Sequence, residues 1–195
     1  MSSPSGSRSR GSFREEVFQD AARIWGVKRP SLKRLAGLFF TDVGMAGVIL
    51  FRLAQRLDRR GHPILSMLVT RLNLALHGCY ITVESEIGPG FRMAHPWGVA
   101  VGKGVRAGTD LVLFQNVSIA ARRYNTADYA TLGDRVMIFA NSVVLGSVRL
   151  GDDSRVGACS LVLHDVGDGV TVAGTPAAPL APKPASASMQ NGGDQ

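Results

Sequence analysis

The sequence predicts a mainly β fold, a parallel β-helix of hexapeptide repeats preceded by an α-helical segment. Aliphatic residues recur at every sixth position: Ile81, Ile87, Met93, Val99, Val105, Leu111 and Val117, then Leu132, Ile138, Val144, Leu150, Val156 and Val162. That period fits neither a helical turn nor the alternation of a strand. It fits a coil in which each six-residue unit makes one flat side and points one aliphatic residue inward. Small or turn-forming residues follow many anchors, as in IGPGFR, LGDRVM, LGDDSR and VGACSL, where the backbone must turn tightly. Upstream, apolar residues fall at helical spacing instead.

Taken in order, residues 1–11 are rich in Ser, Gly and Arg and read as a disordered leader. Residues 12–78 read as helical. Ser12 with Glu15 three positions on is a capping box opening a helix that runs through Trp25 and stops at Gly26. Residues 27–34 form a basic connector broken at Pro30. Thr41 or Asp42 caps a second helix carrying Val43, Ala46, Ile49, Leu50, Leu53 and Leu57, ended by Gly61. Pro63 suits the first position of another helix, with a broad apolar face of Ile64, Leu65, Leu68, Val69, Leu72 and Leu76 ended by Gly78. Two such helices are expected to cap the first coil or to pack on a neighbouring subunit. Residues 79–178 hold the coil. The array loses phase between Val117 and Leu132, so the polar SIAARRYNTADYAT is read as an excursion loop, a common place for function on a rigid scaffold. Residues 179–195 read as a disordered tail.

The charge is unevenly placed. Residues 1–80 carry 13 Lys/Arg against 5 Asp/Glu, the remainder 9 against 10. Solvated helix faces explain this without nucleic acid, for which no motif is present. Leu35–Ala54 approaches membrane-span length but contains Asp42, three glycines and Arg52, and reads as amphipathic or buried helix. Peripheral membrane contact through residues 28–60 is kept as an alternative. Cys79 and Cys159 show neither disulfide nor metal-ligand spacing, and the N-terminus lacks the apolar core of a secretory signal, so a cytoplasmic protein without bound metal is expected.

The hexad array, MAHPWGVAVG, the loop after FQNVSI and the closing VAGTPA resemble the hexapeptide-repeat acyltransferases, most of all the serine O-acetyltransferase group with its short relatives from polysaccharide biosynthesis. The resemblance covers roughly residues 78–178 and implies a left-handed β-helix, a homotrimer, sites between subunits and acetyl-CoA or another acyl-CoA as co-substrate, with no bound cofactor. It places the catalytic base on His95. An imidazole there would take the proton of an acceptor hydroxyl attacking a thioester. His62 and His77, at helix ends, read as structural. The small residues Gly157, Ala158, Cys159, Ser160, Ala173 and Gly174 correspond to the slot for the pantetheine arm, and Ala120–Ala121 to a glycine pair before the loop.

Departures from the family pattern fall on the acceptor side. Tyr80 stands where the family carries the aspartate that orients the histidine, with Glu84 or a backbone carbonyl as substitute. Ala94 stands where an aspartate helps hold the amino group of serine. Asp128, Tyr129 and Ala130 replace an Arg-His-Pro. Acceptor contacts are therefore expected at Tyr80, Ala94, Arg122, Arg123 and Tyr129. The expected function is transfer of an acetyl or acyl group from CoA to serine or a serine-like hydroxyl metabolite. Alternatives are a saccharide acceptor, a protein-bound pantetheine donor, and a catalytically silent β-helix scaffold.

Overall fold

The computed structural model describes residues 13–25, 31–123 and 126–180. Ser12 and Gly26, the leader, and all but two residues of the expected tail lie outside the described residues. Four helices come first: α1 (Phe13–Trp25), α2 (Leu32–Thr41), α3 (Val43–Arg59) and α4 (Pro63–His77). Helix α2 begins inside the stretch assigned to the basic connector, and the helix read over 35–54 is divided at Asp42. Asp42 separates α2 from α3, its carboxylate accepting from the Met45 N–H at 2.9 Å as an N-cap. The two helices meet at 116°, so the apolar stretch 35–54 is not one rod. Among the described residues no single helix is long and apolar enough to cross a membrane.

Among the described residues fifteen short strands follow. The first coil holds β1 (Tyr80–Ile81), β2 (Glu86–Ile87) and β3 (Arg92–Met93). The second holds β4 (Ala100–Val101), β5 (Arg106–Ala107) and β6 (Val112–Leu113). The third holds β7 (Ser118–Ala120), β8 (Thr131–Leu132) and β9 (Met137–Ile138). The fourth holds β10 (Val143–Leu145), β11 (Arg149–Leu150) and β12 (Arg155–Val156). The last holds β13 (Leu161–Val162), a bridge at Val166 and β14 (Thr171–Ala173), with β15 (Ala178–Pro179) folding back antiparallel on β14. Strands three apart pair in parallel, with β14 on β12 where the Val166 bridge takes the place of a strand, which builds three sheets, β1-β4-β7-β10-β13, β2-β5-β8-β11 and β3-β6-β9-β12-β14-β15. The chain is thus a three-sided parallel β-helix behind a helical segment.

All thirteen hexad anchors are buried, none more than 7% exposed. Each contributes roughly 1.5–3 kcal/mol of burial relative to full exposure. The register is subtler than the unbroken series. Ile81 pairs with Val101, Ile87 with Ala107 and Met93 with Leu113, whereas Val101 pairs with Ile119. The first coil is therefore two residues longer than a regular eighteen-residue turn, and the strand anchors of the second coil are Val101, Ala107 and Leu113. Val99, Val105 and Leu111 are buried two positions earlier, at the corners. Positions two apart both face inward, so a period-six reading cannot see a slip of two. The slip falls between Met93 and Val101, in the segment containing His95.

Gly–Asp pairs organise one corner. The Asp134 N–H donates to Asp152 Oδ1 at 2.8 Å and the Asp152 N–H to Asp168 Oδ1 at 2.9 Å. A Cβ on Gly133 or Gly151 would collide with the carboxylate of the next coil. This is the physical content of LGD in the repeat.

Helix α3 closes the open start of the coil. Ser85 and Ile87 carbonyls of the first coil have no earlier coil to donate to them. Gln55 Nε2 donates to Ser85 O at 2.8 Å, and Arg52 donates to Ile87 O and Gly88 O, each at 2.7 Å. Buried Asp20 of α1 accepts from Arg52 Nε at 3.0 Å and from the Phe91 N–H at 2.8 Å. Burial pushes the Asp20 carboxyl above its ordinary range, against the pull of the Arg52 guanidinium. Helix α3 comes close enough for this because of two glycines. A Cβ at Gly44 would land on the Met93 carbonyl, and one at Gly47 would sit 2.8 Å from Met93 Cε. Gly44→Ala is expected to cost about 1–3 kcal/mol by overpacking. A lower urea midpoint with unchanged slope would report it; an unchanged midpoint would refute the close approach.

Helix α4 turns its polar stripe inward and its apolar face outward. Its buried side chains are Ser66, Asn73 and His77, while Ile64, Leu65, Leu68, Leu72 and Leu76 are exposed. Ser66 Oγ donates to Ala54 O at 2.9 Å and Asn73 Nδ2 to Gly47 O at 3.0 Å, so the polar stripe is hydrogen-bonded onto α3. His77 lies 2.9 Å from Asn73 Oδ1, and burial lowers its pKa.

Candidate active site

The corner from β3 to β4 spans residues 94–99 and contains the two additional residues of the first coil. Gly98, at φ +73°, donates its N–H to Gly78 O at 2.9 Å, which anchors the corner on the C-cap of α4. Trp97 lies against Gly78 and is exposed on its outer side. The Asn116 N–H donates to Trp97 O at 2.9 Å, and Asn116 Nδ2 donates to Asn141 Oδ1 at 2.9 Å. Asn116, Asn141 and Cys159 all turn the same corner at positive φ on successive coils. Such a hydrogen-bonded column gives the corner little freedom.

His95 stands exposed on this corner. Among the described residues nothing hydrogen-bonds its ring. Its aromatic neighbour is Phe114 on the next coil, edge-on with centroids 6.3 Å apart. Phe114 stacks on Phe139 of the third coil at 4.9 Å and 20° between planes. The ladder Ala94 N–H to Leu113 O, Phe114 N–H to Ile138 O, Phe139 N–H to Val156 O and Gly157 N–H to Val172 O places these positions in one column. Ala94 is therefore followed along the coil axis by two phenyl rings and then by small residues, with the His95 ring beside the first phenyl. Phe114 and Phe139 were not legible as site residues in the sequence. Ile138 before Phe139 belongs to the hexad series, whereas Leu113 before Phe114 becomes an anchor only through the slip of two. Gln115 was also missed; its side-chain oxygen is buried with no hydrogen-bond partner among the described residues.

The other expected residues divide into three places. Gly157 and Ala173 continue the column of Ala94, Phe114 and Phe139, and Ala158, Cys159, Ser160 and Gly174 follow them round the last two corners. A Cβ on Gly157 would lie 2.9 Å from Ala173 Cβ, so this surface is already tight. Ser160 is buried, and its hydroxyl accepts from the Gly174 N–H at 3.0 Å, tying corners together. Cys159 is a free, exposed thiol. Tyr80 lies exposed on β1, paired with Ala100, and Ala94 directly precedes His95. Glu84 sits at the corner after β1, not the one before β4.

Ala120 and Ala121 stand at the opposite end of β7, where the loop departs. Arg122 Nη2 donates to Leu163 O at 2.8 Å, and the Arg122 N–H donates to Asp128 Oδ2 at 3.3 Å. The Thr126 hydroxyl beside Asp128 holds that carboxyl below its usual range. Arg123 is exposed, and its carbonyl accepts from Thr126. Tyr124 and Asn125 lie outside the described residues. The Tyr129 ring lies over Gly102 and Gly104 and packs on the core. Within one chain, the loop and His95 thus occupy opposite ends of the strands of one sheet. The described residues contain no group of three His, Cys, Asp or Glu placed to hold a metal.

Residues 129–164 match the family model for the bacterial transferase hexapeptide (six repeats). A serine acetyltransferase of Helicobacter pylori is 30% identical over 135 residues, covering 69% of this chain and 79% of that protein. The chain belongs to the serine acetyltransferase family. A Bacillus subtilis serine acetyltransferase is 30% identical over 148 residues, covering 75% of this chain and 68% of its own. The crystal structure of the Neisseria gonorrhoeae serine acetyltransferase superposes with a TM-score of 0.76 at 26% identity, covering 87% of this chain. This chain spans 65% of that one.

Proposed function

We propose that the chain is an acetyl-CoA-dependent O-acyltransferase acting on serine or a serine-like hydroxyl metabolite, as a left-handed β-helical trimer in the cytoplasm. The observation that carries this reading is the exposed His95 on a braced corner, beside the head of a column that ends in small residues. A His95 ring nitrogen takes the acceptor hydroxyl proton as the oxygen attacks the thioester carbonyl. Backbone N–H groups of the corners stabilise the oxyanion. Collapse breaks the C–S bond, and the departing thiolate of CoA takes the proton from the imidazolium, leaving an ester and free CoA. The pantetheine arm runs along Gly157, Ala158, Cys159, Ala173 and Gly174, with Ala120 and Ala121 contributed from a neighbouring copy. Because His95 and the loop are at opposite ends of one sheet, a site using His95 with Arg122 and Arg123 must draw on two copies.

The stacked Phe114 and Phe139 favour a second acceptor class. Flat apolar ring faces beside a base suit the C–H face of a saccharide, and Tyr80 and Ala94 offer no charge to an amino acid. The deciding experiment is CoA thiol release from acetyl-CoA with serine, homoserine and a panel of neutral sugars. Serine-dependent release supports the first reading and sugar-dependent release the second. No release with any acceptor, together with no CoA binding, would overturn both.

A further inference from the structure

Two unsatisfied groups meet at the corner that carries His95. The Ala94 N–H donates to Leu113 O at 2.9 Å, which sets Ala94 beside Phe114. The Asn116 N–H donates to Trp97 O at 2.9 Å, which sets Trp97 beside Gln115. One step of the second coil, Phe114 to Gln115, thus spans three of the first, Ala94 to Trp97. His95 and Pro96 are the two residues without a counterpart, and the chain bulges there against Phe114 and Gln115. Gln115 stands between Phe114, whose ring meets the His95 ring, and Asn116, whose N–H holds Trp97. The Gln115 backbone carbonyl accepts from the Asn141 N–H at 3.0 Å, but its buried side-chain oxygen has no partner among the described residues. A buried acceptor left open costs about 1–3 kcal/mol and calls for a donor. The exposed His95 ring, equally without a hydrogen bond, is the donor that the bulge brings to it.

We propose that Gln115 is the positioning residue of His95. Its side-chain oxygen accepts from the protonated ring nitrogen when CoA occupies the site, and the other nitrogen is left to take the acceptor's proton. Neighbouring coils lie about 4.8 Å apart, a gap that a glutamine side chain crosses. Hydrogen bonds of this kind often tighten only once ligand is bound. The elements that meet at the corner are α4 and strands β1, β3, β4, β6 and β7. Their titratable groups are Arg71, His77, Tyr80 and Arg92, with Cys79 between α4 and β1. None of these is a carboxylate. An amide oxygen fixes the tautomer as a carboxylate does but brings no charge, so it leaves the imidazole less basic than a carboxylate partner would. The role in catalysis rests on the acyltransferase reading; the hydrogen bond does not.

The test uses the full chain with Gln115→Met, which keeps the side-chain length and removes the acceptor, and Gln115→Glu, which restores an acceptor with charge. Nitrogen-15 spectra of the histidine rings are recorded with and without CoA, the His95 signals being assigned by their loss in His95→Ala. With CoA the wild type is expected to show one His95 tautomer and Gln115→Met a mixture. Gln115→Met should lower kcat by about tenfold or more with the KM for acetyl-CoA unchanged, the pattern of a group that acts in the transition state. Gln115→Glu should recover most of the rate and move the acid limb of the pH profile to higher pH. A carboxylate stabilises the imidazolium, so the base sheds its proton only at higher pH. A side chain that merely packs would change thermal unfolding and leave both the tautomer and the acid limb where they were. His95 signals identical in wild type and Gln115→Met would overturn the proposal. If Gln115→Met does not fold, the Gln115→Glu profile decides, and an unmoved acid limb overturns it. A tautomer that depends on Gln115 in a protein inactive with every acceptor would sustain the hydrogen bond while removing the acyltransferase reading.

Discussion

His95→Ala is expected to lower acetyl-CoA-dependent acyl transfer by about 10²–10⁴-fold, the range of a positioned general base. The fold should not respond. His95 is exposed and its ring is not hydrogen-bonded among the described residues, so truncation removes no buried contact beyond its edge against Phe114. Thermal unfolding of the variant should therefore overlay the wild type. CoA affinity should also persist, because the small residues assigned to the pantetheine arm belong to later coils. Loss of turnover with intact folding and CoA binding is the signature of a chemical role. Turnover unaffected by the change would mean that another group takes the proton. Phe114→Ala is the companion measurement: a rise in KM for one acceptor class with little change in another would mark the phenyl stack as an acceptor contact.

The parts of this molecule that were legible in its sequence are those whose physics is local and repeated. Thirteen aliphatic anchors announced a coil because each must fill the same narrow interior, and all thirteen are buried. The slip of two at the His95 corner was invisible because Val99 and Val101 both point inward. For α4, periodicity revealed an apolar face but could not say that it points outward. That depends on Asn73 and Ser66 finding carbonyls on α3, a fact of tertiary packing. His95 stood out in the sequence only through a resemblance, which also exposed Tyr80 in place of the orienting aspartate; that Glu84 lies at another corner is a matter of tertiary placement. The Asp20–Arg52 pair left no trace, since a buried charge 32 residues from its partner looks like any surface charge in a basic segment.

That pair should nevertheless dominate the stability of the junction between helices and coil. Asp20→Ala is expected to cost about 3–5 kcal/mol, because it leaves a buried guanidinium without its counter-charge and the Phe91 N–H without an acceptor. Asp20→Asn should cost less, since an amide oxygen still accepts from one of those donors. The ion pair itself is not the source of the stability, as taking both charges out of water is expensive. If it were dispensable, Asp20→Leu with Arg52→Met would restore the wild-type midpoint, as apolar replacement of buried pairs often does. Here the double variant should recover only part of the loss. Arg52 also satisfies the buried Ile87 O and the part-buried Gly88 O, and methionine would leave both without that donor, at about 1–3 kcal/mol for the buried one. Urea unfolding of the three variants separates the two accounts. Full recovery would mean that charge pairing is all the pair does; partial recovery would identify Arg52 as the group that closes the open end of the coil.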